Sequence, residues 1–109
     1  MNEKPLRWLH GEIKTPPISI QARRELGMLL RDLQDGASLG MPQSRPMPSI
    51  GRGCHELRVN DANKVWRLVY CIRADAIVIL DVFEKKTRAT PMDAIDNCKR
   101  RLKHYEASI

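Results

Sequence analysis

Cys54-His55-Glu56-Leu57-Arg58-Val59, then Trp66-Arg67-Leu68-Val69-Tyr70, then Val82-Phe83-Glu84-Lys85-Lys86-Thr87 is the stretch that decides the fold. Each piece is an apolar strand pattern with one or two cations set into it. Lys and Arg are costly to bury without partners, so cations inside strand patterns ask for a reason. Asn60-Asp61-Ala62-Asn63 and Arg73-Ala74-Asp75 read as turns. They predict three consecutive antiparallel strands over residues 54–60, 64–73 and 76–85. In the first, Leu57 and Val59 alternate with Glu56 and Arg58, which predicts one wet face. The other two are apolar on both faces and call for cover on both sides, most naturally by helices. Three neighbouring strands that each carry cations make a basic surface suited to a phosphate backbone.

Outward from this core, residues 5–13 hold Leu6, Trp8 and Ile13 and predict a first strand, before Pro16 and Pro17 break the chain. A helix is expected from Ile18 to Asp35, with Ser19 as N-cap, Ala22, Leu26, Leu29 and Leu33 as its buried stripe, and Gly36 as its stop. Residues 36–53 are rich in Gly and Pro, which rules out regular structure over most of them. A loop this long is often functional, and it carries Arg45 and Arg52; a plain surface connector is the equal alternative. Thr90-Pro91-Met92-Asp93 opens a second helix, with Thr90 as N-cap, Pro91 in the first turn, and Ile95, Cys98, Leu102 and Tyr105 on one face. Lys99, Arg100 and Lys103 near its end are explained by the helix dipole and solvation. The expected fold is α+β: a small antiparallel β-sheet with an N-terminal helix and a C-terminal helix packed on it, as a single domain over residues 1–109.

Lys and Arg number 19 against 13 Asp and Glu, a net charge of +6. That balance favours an anionic partner, nucleic acid or an acidic protein, although charge can also serve solubility alone. Cys54, Cys71 and Cys98 form no Cys-x-x-Cys pair, and His10, His55 and His104 have no metal-ligand spacing. No metal and no cofactor is therefore expected. The cysteines read as small buried hydrophobes in a reducing cytoplasm. A Cys54/His55 nucleophile pair is disfavoured, because adjacent strand residues face opposite sides. No secretion signal and no apolar run long enough to span a membrane is read.

The cations can do chemistry. Cleavage of RNA by a ribose 2′-hydroxyl needs a proton acceptor, charge stabilisation at phosphorus and a proton for the leaving 5′-oxygen. Arginine clamps phosphate and stays charged, whereas lysine acts as a base once nearby cations and burial depress its pKa. Tyrosine stacks a base or passes a proton. Arg58, Arg67, Tyr70, Lys85 and Lys86 are thus a sufficient metal-free set. Each also has a plainer reading: Arg58 paired with Glu56 or a neighbouring strand, Arg67 and Arg73 as edge charges, Tyr70 as core, Lys85 and Lys86 as a solvated strand end.

Met41-Pro42-Gln43-Ser44-Arg45-Pro46-Met47-Pro48-Ser49-Ile50-Gly51, Glu56-Leu57-Arg58, Trp66-Arg67-Leu68-Val69-Tyr70, Phe83-Glu84-Lys85-Lys86-Thr87 and Thr90-Pro91 together resemble phage-derived HigB-type toxins of the RelE/ParE superfamily. The likeness extends upstream through Leu33-Gln34-Asp35-Gly36 and covers most of the chain. It implies a RelE-like fold and the toxin of a type II toxin–antitoxin system. Many members are metal-independent endoribonucleases that cut mRNA on the translating ribosome and are neutralised by a helix-turn-helix antitoxin. The matching positions are Arg58, Arg67, Lys85 and Lys86, supported by Tyr70. Apart from the resemblance, Arg45, Arg52, Arg73 and Arg88 are further candidate contacts to RNA. Many relatives carry His where this chain has Asp81, so a mechanism needing that histidine does not transfer, and an acid there could orient or neutralise the cations. The superfamily also holds DNA gyrase inhibitors, so the alternative readings are a non-catalytic gyrase-inhibiting toxin and an inactive nucleic-acid- or partner-binding module of the same fold.

Overall fold

Alternation along three long strands builds the centre of the fold: β3 (Cys54–Asp61), β4 (Lys64–Ile72) and β5 (Ile77–Glu84), paired antiparallel. The computed structural model describes residues 3–108; residues 1, 2 and 109, the ends of the expected domain, lie outside the described residues. Two short strands complete the sheet, β1 (Leu6–Trp8) beside β5 and β2 (Ser44–Pro46) beside β3, in the order β1-β5-β4-β3-β2. β1 runs parallel to β5, so the sheet is mixed rather than purely antiparallel. Parallel pairing is possible because the chain between them crosses over through a helix. The Gly/Pro-rich stretch is irregular apart from β2, which places Arg45 directly opposite Glu56.

One helix covers each face. α1 (Ile20–Gln34) lays Ala22, Leu26, Leu30 and Leu33 on Leu57, Val59, Leu68, Tyr70, Ile77 and Ile79. Leu30 takes the fully buried place expected of Leu29, which lies at the margin. Ser19 caps the helix by accepting from the Ala22 amide at 3.0 Å. Gly36, at φ +95°, closes it: its amide bonds Leu33 O and the Ala37 amide bonds Asp32 O, the paired bonds of a Schellman motif. α2 (Met92–Ala107) sets Cys98 and Leu102 on the other face, against Val69, Val78, Leu80, Met47 and Ile50. No helix among the described residues is long and apolar enough to cross a membrane.

Three further expectations are corrected. Glu56 is not on a wet face; it is fully buried. Thr90 does not cap α2; the N-cap is Pro91, with no side-chain cap bond. Cys54 and Cys71 are not free thiols; they face each other across β3 and β4 and are joined as a disulfide, leaving Cys98 free and buried. Burial and nearby Asp81 push the Cys98 thiol up to about 12, so it stays an inert thiol at neutral pH.

Asp61 at the end of β3 ties the hairpin to α1. Its Oδ2 accepts from the Ser19 amide at 2.9 Å and from the Trp66 indole at 2.8 Å. These bonds hold its carboxyl below the ordinary aspartate value, with Lys64 adding to the effect. A depressed carboxyl stabilises the fold above its unfolded pKa, about 4, and loses that contribution as pH falls through the lower folded value. Asp61→Ala is expected to lower the melting temperature at pH 7 and to flatten its further fall in acid. Thermal scans from pH 7 to pH 2 compare the two proteins; parallel curves would refute the linkage.

Candidate functional site

Strand register brings the cations together on the α2 face, beyond the beginning of that helix. Arg58 on β3 lies directly opposite Arg67 on β4, and Arg67 lies opposite Phe83 on β5. Two residues past Phe83, the Lys85 amide extends the ladder by donating to Val65 O at 2.7 Å. Arg45 comes from β2, opposite Glu56. Arg45 and Arg67 therefore meet at one carboxylate, Glu56, with Arg58 and Lys85 beside them in the same cluster of charge.

Like charges facing each other across strands repel, and a buried guanidinium loses its hydration. Glu56 offsets both. Its Oε2 lies 3.4 Å from Arg67 Nη1, and its Oε1 lies 3.6 Å from Arg45 Nη2. Arg67 is only 1% exposed and Glu56 0%. The Thr90 hydroxyl joins all three: it donates to Glu56 Oε2 at 2.9 Å and accepts from Arg67 Nη1 at 3.0 Å and Arg45 Nη2 at 3.4 Å. Arg67 Nη2 donates to the carbonyls of Thr87 and Arg88 at 3.2 and 3.0 Å. The Nε groups of Arg45, Arg58 and Arg67 and Oε1 of Glu56 are buried without a protein hydrogen-bond partner.

Charge and burial tune the cluster. Burial pulls the Arg67 guanidinium below its ordinary value; Glu56 opposes this, while Arg45 and Arg58 add to it. Partial desolvation, then the charges of Arg58 and Arg67, lower the Lys85 ammonium; Glu56 opposes and Arg45 adds. Arginine stays protonated at neutral pH under either influence, so Lys85 is the member that can give up its proton.

Other expected site residues lie apart. Tyr70 is on the opposite face, buried under α1, stacked on His55 and hydrogen-bonded to Ser44 at 2.6 Å. Burial raises its pKa, with the Ser44 bond opposing, and its ring is closed in the α1-face core away from the cation cluster. Period-two alternation carried that signal, since residues three apart on a strand face opposite ways. Arg73 is at the far end of β4, about 20 Å from Arg67 by strand rise. It binds Glu106 at 2.8 Å and the carbonyl of exposed Arg52 at 2.7 Å. Lys86 and Arg88 are exposed on the segment after β5. Asp81 pairs with Arg101 at 3.4 Å and lies 4.0 Å from His10, apart from the cation cluster. The acid that neutralises the cations is Glu56, which alternation had assigned to water.

The family model described as phage derived protein Gp49-like (DUF891) matches residues 14–103, most of the chain. No curated protein matches it.

The division between the faces is testable. Tyr70→Phe strands the buried Ser44 hydroxyl and is expected to cost about 1–2 kcal/mol in urea unfolding. In the same variant, the affinity of the cation cluster for a short oligoribonucleotide, followed by fluorescence anisotropy, should be unchanged. A weakened affinity at constant fold would put Tyr70 in the site.

Proposed function

The chain belongs to the Gp49-like family of phage-derived proteins, and from that premise we propose that it is the toxin of a type II toxin–antitoxin system, of the HigB type, acting as a metal-independent endoribonuclease on mRNA at the ribosome. The observation that carries the reading is the gathering of Arg45, Arg58, Arg67 and Lys85 about the buried Glu56 carboxylate, set by strand register and two ion pairs. The lowering of Lys85 by desolvation and by its arginine neighbours agrees with a role as proton acceptor. In this reading Arg58 and Arg45 hold the scissile phosphate and stabilise its developing charge. Neutral Lys85 takes the proton of the ribose 2′-hydroxyl. The 2′-oxygen attacks phosphorus, and the bond to the 5′-oxygen breaks. That oxygen leaves with a proton from Lys86 or solvent, giving a 2′,3′-cyclic phosphate and a 5′-hydroxyl. Arg67 acts from beneath, its charge adding to desolvation and to Arg58 in lowering Lys85. Arg88 and Arg52 extend the basic surface toward flanking nucleotides. A helix-turn-helix antitoxin is the proposed neutralising partner, and the cytoplasm the place of action.

Induced expression is expected to arrest growth and to produce new 5′-hydroxyl ends inside translated messages. Intact messages with supercoiling inhibited would instead support the gyrase reading; growth without effect would support an inactive binding module. Lys85→Ala should lower cleavage by about 10²–10⁴-fold, the usual worth of a general base. The wild-type rate should rise with pH and level off at the depressed Lys85 pKa. Lys85→Arg keeps the charge but not the titration, and should lose that rise.

A further inference from the structure

Between β5 and α2, residues 85–91 have no regular secondary structure, yet they carry Lys85, Lys86 and Arg88. Backbone pairing holds this segment at its start, through the Lys85 amide on Val65 O. Beyond that, its hold on the sheet comes from one side-chain assembly. Arg67 grips the carbonyls of Thr87 and Arg88, and the Thr90 hydroxyl locks onto Glu56, Arg67 and Arg45. A hydroxyl has one proton to donate and two lone pairs to accept with, so Thr90 is fully used.

Position makes this use of Thr90 informative. Thr-Pro ahead of an acidic first turn is a strong N-cap pattern, and a cap bond is worth about 1 kcal/mol. Here the cap bond is absent and the hydroxyl turns to the buried ion pair instead. Glu56 is likewise a residue that alternation would place in water, sunk to 0% exposure beneath the cations. Two local preferences are overruled at one point, as happens where a site requires it.

We infer that Glu56 and Thr90 are positioning residues: acting through Arg67, they clamp the segment after β5 so that Lys85 is presented to the scissile phosphate within the field of Arg45, Arg58 and Arg67. The rate readouts rest on the nuclease reading above; the clamp itself can be measured without it. Charged groups acting on Lys85 are Glu56 and Arg58 from β3, Arg67 from β4 and Arg45 from β2. Glu56 alone among them raises its pKa, so removing that charge has a defined sign.

Three variants of the full chain test the clamp: Thr90→Val, which keeps the shape and removes the hydroxyl; Thr90→Ser, which keeps the hydroxyl; and Glu56→Gln, which keeps the shape and removes the charge. Amide hydrogen exchange and the NMR titration of the Lys85 side chain are followed in each. Thr90→Val should speed exchange over residues 87–90 by about tenfold, with the amides of β4 unchanged, and Thr90→Ser should restore it. Glu56→Gln should move the Lys85 titration to lower pH. In cleavage assays, Thr90→Val should lower kcat by about tenfold or more at constant KM, with Thr90→Ser within about threefold of wild type. The pH limb of Glu56→Gln should move down with the lysine. Unchanged exchange and an unmoved Lys85 titration would overturn the inference. A wild-type protein that cleaves no RNA, with both shifts present in the variants, would refute the nuclease reading and leave the clamp standing.

Discussion

The buried contact between Glu56 and Arg67 is the constraint on which the rest of this site depends. Moving a guanidinium and a carboxylate out of water costs several kcal/mol per ion, and their attraction recovers it only with further hydrogen bonds. Those bonds are present: Thr90 serves both partners, and two carbonyls serve Arg67. A pair of apolar residues could fill the same volume at comparable stability. What apolar residues could not do is grip the carbonyls of Thr87 and Arg88, or hold Arg45 over the same carboxylate. The pair therefore shapes the chain around it, and fixes where the neighbouring cations stand.

The sheet separates packing from chemistry. Its α1 face is an apolar layer closed by the Ser44–Tyr70 bond, which reaches from β2 across β3 to β4. Its α2 face is divided along the strands. One half is core, where Val69, Val78 and Leu80 meet Cys98 and Leu102. The other half, ahead of the helix, holds the cations. A register shift at Val69/Tyr70 sits at the boundary, pairing Val69 with Asp81 and Tyr70 with Ile79. The extra β5 residue lets both Leu80 and Asp81 approach α2, Leu80 in the core and Asp81 beside Arg101. Asp81 is thereby spent on α2 and kept out of the cation cluster.

How much of this was legible follows from the physics of each element. β3, β4, β5 and α1 announce themselves through alternation, turn residues and a serine cap, all local signals. β2 hides because three residues among prolines have no periodicity, and β1's parallel pairing hides because direction is a tertiary property. Cys54 and Cys71 pair because the hairpin turns on Ala62 and Asn63, with Asp61 opposite Lys64; Ala62 stands at φ +55°, a conformation its side chain does not advertise. The cations Arg58, Arg67 and Lys85 were readable as anomalies in strand patterns. Glu56 and Thr90 were not, because each carries a strong local signal, for solvent and for a helix cap, that a long-range partner overrides. Tyr70 was separable from the start, since odd and even positions of one strand cannot share a face.

The composition of the cluster partitions its roles. Three of its four cations are arginines, which stay charged far above neutral pH, and one is a lysine, the readier of the two to give up a proton. An all-arginine cluster would hold phosphate and do nothing to a hydroxyl proton. An all-lysine cluster would shed charge wherever burial was deepest, and weaken the positive field it presents. Setting the lysine at the rim and an arginine at the bottom, against the one carboxylate, gives a fixed field beneath a titratable group. The buried arginine thus need not touch a substrate to matter: its charge lowers Lys85, and its hydrogen bonds hold the segment that begins there.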